Sequence, residues 1–178
     1  TVPAAPEISL QAVSRASVAP VTGFKINPSS SVALDILPIA VDNTTWNSLM
    51  TVISNNSSST TFRDQYRWNS TTNSVSTGTD TIRELNIYPD QNSSLPPGNR
   101  GTVDLGSPNN STSDLKRQIV SGLNAWDLSF FPNGSLQCSA TSPLILNGDT
   151  GISAGIESSL QSIIGQVRAI PIFTSVSR

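Results

Sequence analysis

The 178-residue sequence contains no histidine and a single cysteine, Cys138. Without histidine the chain cannot form a Ser-His-Asp triad or a Cys-His pair, and nearly all zinc-enzyme patterns are excluded as well. One cysteine closes no internal disulfide and holds no structural zinc alone. We therefore expect Cys138 to be a small, half-buried apolar residue, with an intermolecular disulfide as the alternative.

Charged residues are also scarce: they make up 12% of the chain, and the net charge is −2. Soluble domains usually carry about 25% charged residues. Serine, threonine and asparagine fill the gap, and polarity without charge suits a surface outside the cytoplasm. The few basic residues are scattered, so a phosphate backbone finds no positive patch, and we expect no nucleic-acid partner.

The sequence has no run of about 18 apolar residues, so we predict neither a membrane-spanning helix nor a signal peptide in it. Because it starts abruptly and stops after an apolar stretch, we expect a fragment of a longer protein. Pro3, Pro6 and Pro20 interrupt the first stretch, and proline cannot donate to an interior strand ladder. We predict an extended leader over residues 1–30 and a single domain over residues 31–178.

Alternating and β-branched patterns predict several strands. The strongest apolar run, residues 32–41, predicts a strand that bends at Pro38. Residues 82–89 alternate apolar and polar side chains and predict a strand that ends at Pro89. Further strands are predicted at residues 62–68, 102–106 and 167–176, with a strand leading into a tight turn at residues 144–152.

Amphipathic segments with capping residues predict three longer helices and one short helix. The first is capped by Asp42, Asn43 or Thr44, the second by Ser111 or Ser113, and the short helix by the pattern from Asn124 to Asp127. The apolar faces of the three longer helices are Trp46, Leu49, Met50 and Ile53; Leu115, Ile119 and Leu123; and Ile156, Leu160, Ile163 and Ile164, before Gly165. Because strands and helices mix without strict alternation, the predicted class is α+β, a mixed β-sheet with about three helices packed on it and long polar loops.

The most conspicuous motif is Asp149-Thr150-Gly151, the signature of aspartic peptidases. That chemistry needs two carboxylates sharing a proton, so a chain of this length would have to dimerise. Asn147-Gly148 precedes the motif and is a hairpin-type dipeptide. We expect a turn in which Asn147-Gly148 supplies positive φ and Asp149 or Thr150 bonds the neighbouring backbone. An aspartic-peptidase-like hydrolase using Asp149 is the enzymatic alternative.

Two other stretches invite a functional interpretation. Asp104 begins a loop comparable to the metal-binding loop of integrin-type A domains, but Gly106 and Pro108 stand where hydroxyl ligands are required. The stretch fits no EF-hand loop either, so we predict no metal-site residues. Tyr66 and Trp68 share one strand face with Phe62, which favours packing, and a calcium- or glycan-dependent adhesion module using Tyr66 and Trp68 is the third alternative.

Three stretches taken together resemble the extracytoplasmic part of bacterial TadE/TadG-like pilus-assembly proteins, most closely the planctomycete versions. They are residues 34–49 (LDILPIAVDNTTWNSL), 96–123 (PPGNRGTVDLGSPNNSTSDLKRQIVSGL) and 146–173 (LNGDTGISAGIESSLQSIIGQVRAIPIF). The resemblance implies a domain outside the cytoplasmic membrane, with an N-terminal transmembrane anchor that this sequence lacks. It implies a role in building Tad-type (Flp) pili or a related surface structure, and it implies no catalytic residues.

We therefore predict a non-enzymatic domain of a TadG-like protein, at the cell surface or secreted. It is expected to contact other pilus or cell-surface proteins, or a second copy of itself, and to use no cofactor. We expect contact with a membrane only through a transmembrane helix that is absent from this chain. The predicted contact elements are exposed edge strands within residues 1–20, available for strand addition.

Overall fold

The computed structural model describes residues 23–26, 32–87, 97–106, 111–139, 141–150 and 152–177, with only the backbone described for Pro97 and Thr150. The strands in chain order are β1 (Gly23–Lys25), β2 (Ile39–Asp42), β3 (Tyr66–Asn69), β4 (Ser74–Thr77), β5 (Arg100–Val103), β6 (Ser135–Gln137), β7 (Gly148–Thr150) and β8 (Ile172–Phe173). The helices are α1 (Asn43–Ser54), α2 (Thr112–Ser121), α3 (Ala125–Leu128) and α4 (Glu157–Ser162), with 3₁₀ turns at Pro97–Asn99, Pro132–Gly134 and Ala154–Ile156. This mixture confirms the α+β class.

The central sheet has the order β7-β5-β2-β8, with β8 parallel to β2 and the other pairs antiparallel. Two small two-stranded sheets, β1-β6 and β3-β4, accompany it. The predicted strand over residues 167–176 is shorter than expected. Pro171 cannot donate to the ladder, and it divides the pairing into a bridge at Ala169 and the two residues of β8.

The bend predicted at Pro38 is confirmed. The residues on either side of it contribute side chains to two apolar clusters. Ile36 packs in one cluster with Leu105, whereas Leu37 and Ile39 pack in the other. Neighbouring positions of an extended chain point to opposite faces, so one segment contributes to both clusters. The first cluster is completed by Ile26, Leu123, Leu128 and Leu136, and the second by Leu115, Ile119, Ile156 and Ile163.

The predicted helix starts are confirmed at their caps. The Asp42 carboxylate accepts from the Thr45 N–H (2.9 Å) at the start of α1, and the Ser111 hydroxyl accepts from the Asp114 N–H (3.2 Å) at the start of α2. Each bond satisfies a donor that a helix start leaves free. Gly165, just beyond α4, has φ +83°. No helix within the described ranges is long and apolar enough to cross a membrane.

The predicted apolar face of α1 is wrong in part. Of that face only Leu49 is buried, whereas Trp46, Met50 and Ile53 are exposed. The buried side of the helix runs through Thr45 instead, whose hydroxyl accepts from the Asn99 amide (3.0 Å). The helix follows β2 with no intervening loop, so the strand fixes which side of α1 turns inward.

The strand predicted over residues 82–89 is also wrong: residues 82–87 form no strand, and Tyr88 and Pro89 lie outside the described residues. The Glu84 carboxylate accepts from the backbone N–H groups of Gln65 and Tyr66, both at 2.9 Å. A side chain thus takes the place that a neighbouring strand would occupy at the edge of β3.

Of the predicted leader, residues 1–22 and 27–30 lie outside the described residues, and so do the edge strands predicted within residues 1–20. Residues 23–26 join the domain: β1 pairs antiparallel with β6, and Ile26 is buried in the first cluster.

Candidate functional site

Asp149 lies on β7, at an edge of the central sheet, opposite Thr102, and its side chain is exposed. Gly151 lies outside the described residues. The predicted turn is wrong at Asn147-Gly148, because neither residue has positive φ. Gly148 sits in the ladder instead, and a Cβ there would lie 3.2 Å from the Thr102 carbonyl oxygen. The hairpin-type dipeptide therefore leads into an edge strand.

Asp104 lies just beyond β5, where its N–H donates to the Asn147 carbonyl (2.9 Å). Burial raises the pKa of the Asp104 carboxyl, a hydrogen bond from the Asn147 side chain opposes that rise, and the charges of Asp149 and Asp114 add to it. Asp149 therefore acts on Asp104 by repulsion. In the part of the chain that the structure describes, no group of three or more His, Cys, Asp or Glu residues is arranged to hold a metal ion.

Helix α3 is a single turn that begins with a capping box. The Asn124 side chain accepts from the Asp127 N–H (3.0 Å), and the Asp127 carboxylate accepts from the Asn124 N–H (2.9 Å). A four-residue helix is costly to nucleate, and these reciprocal bonds satisfy donors at its start. The short helix predicted from this pattern is confirmed.

The Asp127 carboxylate is fully buried and also holds α2. It forms a two-point salt bridge with the Arg117 guanidinium and accepts from Gln118 Nε2 (3.2 Å). The hydrogen bonds to Asp127 raise the pKa of Arg117 further above its high usual value, although partial burial opposes this. A buried carboxylate is tolerated when charged and polar donors satisfy its oxygens, so Asp127 fixes the position of the guanidinium.

Arg117, Trp126 and Phe130 form an exposed surface that we call the aromatic surface. The Arg117 guanidinium carbon lies 5.9 Å from the Trp126 ring centroid. The Phe130 ring meets Trp126 edge-on, with centroids 5.0 Å apart and planes at 84°. These values match cation–π and T-shaped ring geometry. Trp126 is 53% exposed and Phe130 is 48% exposed, so two ordered rings present about half their area to solvent.

A groove of about 400 Å³ is lined by residues of β1, α3 and the turn that follows α3. Lys25 and Ile26 line one side, and Ala125, Leu128 and Ser129 line the other. Ala125 and Ser129 directly precede the two exposed rings in the sequence. Helix α3 and the residues that follow it therefore carry both features, although the three residues of the aromatic surface are not among those that line the groove.

Sequence analysis did not predict this surface. The capping box at Asn124 and Asp127 is a local signal, and Trp126 and Phe130 are four residues apart, which places both rings on one side of a helical turn. The ion pair between Arg117 and Asp127 joins two helices, and no local sequence pattern predicts it. It is this pairing that brings a cation over the ring.

Tyr66 and Trp68 lie on β3, in an exposed hairpin with β4. Tyr66 is exposed, whereas Phe62 is buried. The Trp68 ring packs on Gly165, where an added Cβ would lie 1.9 Å from the ring. The predicted aromatic stripe therefore divides into one core residue, one solvent residue and one residue packed on the end of α4.

Cys138 follows β6 and is an exposed free thiol, so the half-buried position predicted for it is wrong. The side chain lies one residue past the end of β6.

The chain matches no protein-family model, no curated protein and no solved structure.

Proposed function

We propose that this chain is a non-enzymatic, extracytoplasmic domain of a TadG-like pilus-assembly or cell-surface protein, and that it works by protein–protein contact. The aromatic surface is the observation that carries the proposal. Tryptophan and arginine are enriched among the residues that dominate binding energy at protein interfaces, which cluster around well-packed depressions. Trp126 and Arg117 are in cation–π geometry here, and Ala125 and Ser129, which precede the two rings in the sequence, line a depression.

Preorganisation supports the same conclusion. Ordering a flexible side chain on binding costs about 0.5–1.5 kcal/mol. The Asp127 salt bridge holds Arg117, and Arg117 and Phe130 in turn hold the Trp126 ring. Much of this ordering is therefore complete before a partner arrives, and binding loses less of its interaction energy.

The three stretches that resemble TadG-like proteins also support the proposal, because they assemble into one body. Residues 34–49 include β2 and the first part of α1, residues 96–123 include β5 and α2, and residues 146–173 include β7, α4 and β8. Together they supply every strand of the central sheet. The low content of charged residues, 12%, agrees with a location outside the cytoplasm.

The partners in this proposal are other pilus or cell-surface proteins, or a second copy of the chain, and no cofactor takes part. A transmembrane helix outside this sequence would provide the membrane anchor.

The test is the amount of the full-length protein retained in the surface material sheared from its own bacterium, which the membrane anchor alone does not supply. The amount of the Trp126→Ala/Phe130→Ala variant in the sheared surface fraction should fall about tenfold or more. Losing two such rings costs at least about 1.4 kcal/mol of binding free energy. Trp46→Ala is the matched control: this tryptophan is also exposed but lies on α1, and retention should be unchanged. Equal retention of the double variant, or a protein confined to the cytoplasm, contradicts the proposal.

A further inference from the structure

We propose that the chain self-associates through the outer edge of β4, which pairs with β4 of a second copy. The strands β3 and β4 form a two-stranded sheet, so each strand has one edge toward the other strand and one edge that faces outward. An outward edge presents backbone N–H and C=O groups that can pair with another chain. This surface lies on elements different from those of the aromatic surface, and the proposal does not depend on the proposed function.

The register of the hairpin shows which backbone groups of β4 face outward. The Gly78 N–H donates to the Gln65 carbonyl (2.9 Å), and hydrogen-bonded positions recur at every second residue of an antiparallel pair. Ser76, two residues before Gly78, is therefore also bonded to β3. Val75 and Thr77 alternate with these positions, so their N–H and C=O groups point away from β3.

The two outer edges of the hairpin differ. On β3, the outward N–H of Tyr66 donates to the Glu84 carboxylate (2.9 Å). The outward N–H of Trp68 donates to the Asp80 carboxylate (3.4 Å). These carboxylates occupy donors that an added strand needs. All four residues of β4 are exposed, and among the described residues its outward groups meet no partner. The edge of β4 is therefore open, whereas the edge of β3 is covered.

The strand β4 also lacks the features by which proteins block an exposed edge, which include charged side chains, proline and bulges. Its sequence is Ser-Val-Ser-Thr, and its pairing with β3 runs without interruption. Two copies of β4 therefore meet with no like charges directly opposite each other, an arrangement that would destabilise the pair. Because a second copy offers the same uncharged edge with the same unpaired groups, we assign it as the partner.

One antiparallel register joins all the outward groups of both β4 strands. In this register Val75 lies opposite Thr77 of the second copy, and Thr77 lies opposite Val75 of the second copy. Each of these pairs exchanges both of its hydrogen bonds. Ser76 then lies on the two-fold axis, opposite Ser76 of the second copy. A register two residues away pairs Val75 or Thr77 with its own copy and keeps only one such pair within β4.

The pairing also covers apolar surface. Val75 is 45% exposed, and across the hairpin it lies opposite Trp68. On its other side the second copy places the side chain of Thr77 next to it. Cross-strand contacts between such side chains stabilise a sheet, so the side chains favour the same register as the backbone.

The first test is a disulfide trap in the chain with Cys138→Ser, which removes the native thiol. In the proposed register the Cα atoms of the two Ser76 residues lie about 4.5 Å apart, a distance that a disulfide bridges. Ser74 is the matched control, because it is also an exposed serine of β4. The two Ser74 residues lie about 14 Å apart, since four residues of strand separate them, and no disulfide spans that distance.

We expect Ser76→Cys to form a covalent dimer in a glutathione redox buffer, and Ser74→Cys to form at least about tenfold less. Equal yields from the two variants, or no dimer from Ser76→Cys, overturn the proposal.

The second measurement uses the unaltered protein. The NMR signals of the Val75 and Thr77 amides should shift as the protein concentration rises from micromolar to millimolar, because these N–H groups gain acceptors in the pair. The Tyr66 amide should stay unmoved, because Glu84 already holds its N–H. Shifts that spare Val75 and Thr77, or no shift at all, contradict pairing through β4.

Val75→Pro tests the backbone pairing directly in the Ser76→Cys trap. Proline is tolerated on an edge strand where its missing N–H faces outward, so the ladder with β3 is kept. The disulfide yield should fall about tenfold, because each copy loses one hydrogen bond to the other. Thr77→Lys puts a charge on the same edge and should also lower the yield, which decides the matter if proline disturbs the hairpin.

An undiminished yield in Thr77→Lys overturns the site. Because both variants leave the aromatic surface intact, surface retention of the protein stays a separate readout.

Discussion

The aromatic surface and the β3–β4 hairpin both present a tryptophan to solvent, and carboxylates support both, but the carboxylates differ in burial. Asp127 is fully buried and gathers donors from two helices. Asp80 and Glu84 are partly exposed, and their contacts to β3 are hydrogen bonds from backbone N–H groups.

This difference separates a rigid region from a weakly held one. A charge-assisted hydrogen bond gains strength where water is excluded, whereas water competes for the same bond at the surface. The aromatic surface should therefore stay ordered as long as the domain is folded. The hairpin should open more readily.

The largest expected effect is that of Asp127→Ala. We expect the free energy of unfolding to fall by about 3 kcal/mol, because the change leaves Arg117 and Gln118 without their buried acceptor and removes half of the capping box. Urea denaturation measures it. Asp127→Asn is the control and should cost less, since an amide oxygen still accepts. A loss below about 1 kcal/mol would show that this carboxylate does not hold the surface.

Gly165→Ala tests the hairpin's contact with the body of the domain. Positive φ and the contact with the Trp68 ring should together lower stability by about 1–3 kcal/mol. Gly134→Ala isolates the cost of the backbone conformation, because Gly134 has φ +62° and open space around its Cα. Equal losses in the two variants would mean that the ring packing contributes nothing.

Glu84→Gln should have a smaller effect, about 1 kcal/mol, because one of the two backbone N–H groups then faces the amide NH₂ and loses its acceptor, while the other keeps a neutral oxygen. The loss should be local: hydrogen exchange should accelerate at Gln65 and Tyr66 and stay unchanged at Leu128. Glu157→Gln is a matched control on α4, where the carboxylate contacts only an exposed Gln161 amide (3.3 Å). Faster exchange throughout the domain would contradict a separately opening hairpin.

The smallest effect concerns Asp104, a partly buried carboxylate whose charged neighbours include Asp149 and Asp114. Its pKa is raised above 3.8, first by burial. The folded state therefore holds this proton more tightly than the unfolded state, so the contribution of Asp104 to stability is fully present below pH 3.8 and is lost as pH rises through the folded pKa. Asp104→Asn should remove this fall and gain up to about 0.5 kcal/mol at neutral pH. Asp149→Asn should give part of the same gain. The measurement is the free energy of unfolding as a function of pH, and identical profiles for the parent protein and the two variants would refute the prediction.

Features fixed by neighbouring residues could be predicted from the sequence. The caps at Ser111 and Asn124 depend on a hydroxyl or amide within three residues of its donor, and the bend at Pro38 depends on one ring. Local chemistry decides such features before tertiary packing contributes.

Features decided by residues far apart in the sequence could not be predicted in this way. The alternation over residues 82–89 predicts a strand, but Glu84 reaches across to β3. The dipeptide Asn147-Gly148 predicts a turn, but pairing with β5 extends it. The aromatic surface needs Arg117 to meet Asp127 across two helices, which no local pattern specifies.

The most direct test of the proposed contact is photo-crosslinking in living cells, with benzoylphenylalanine placed at position 126 or, as a control, at position 46 of the full-length protein. We predict that position 126 crosslinks to a pilus or cell-surface protein, or to a second copy of the chain, and that position 46 gives no such adduct. Equal adducts at both positions, or none at position 126, would contradict protein–protein contact through the aromatic surface.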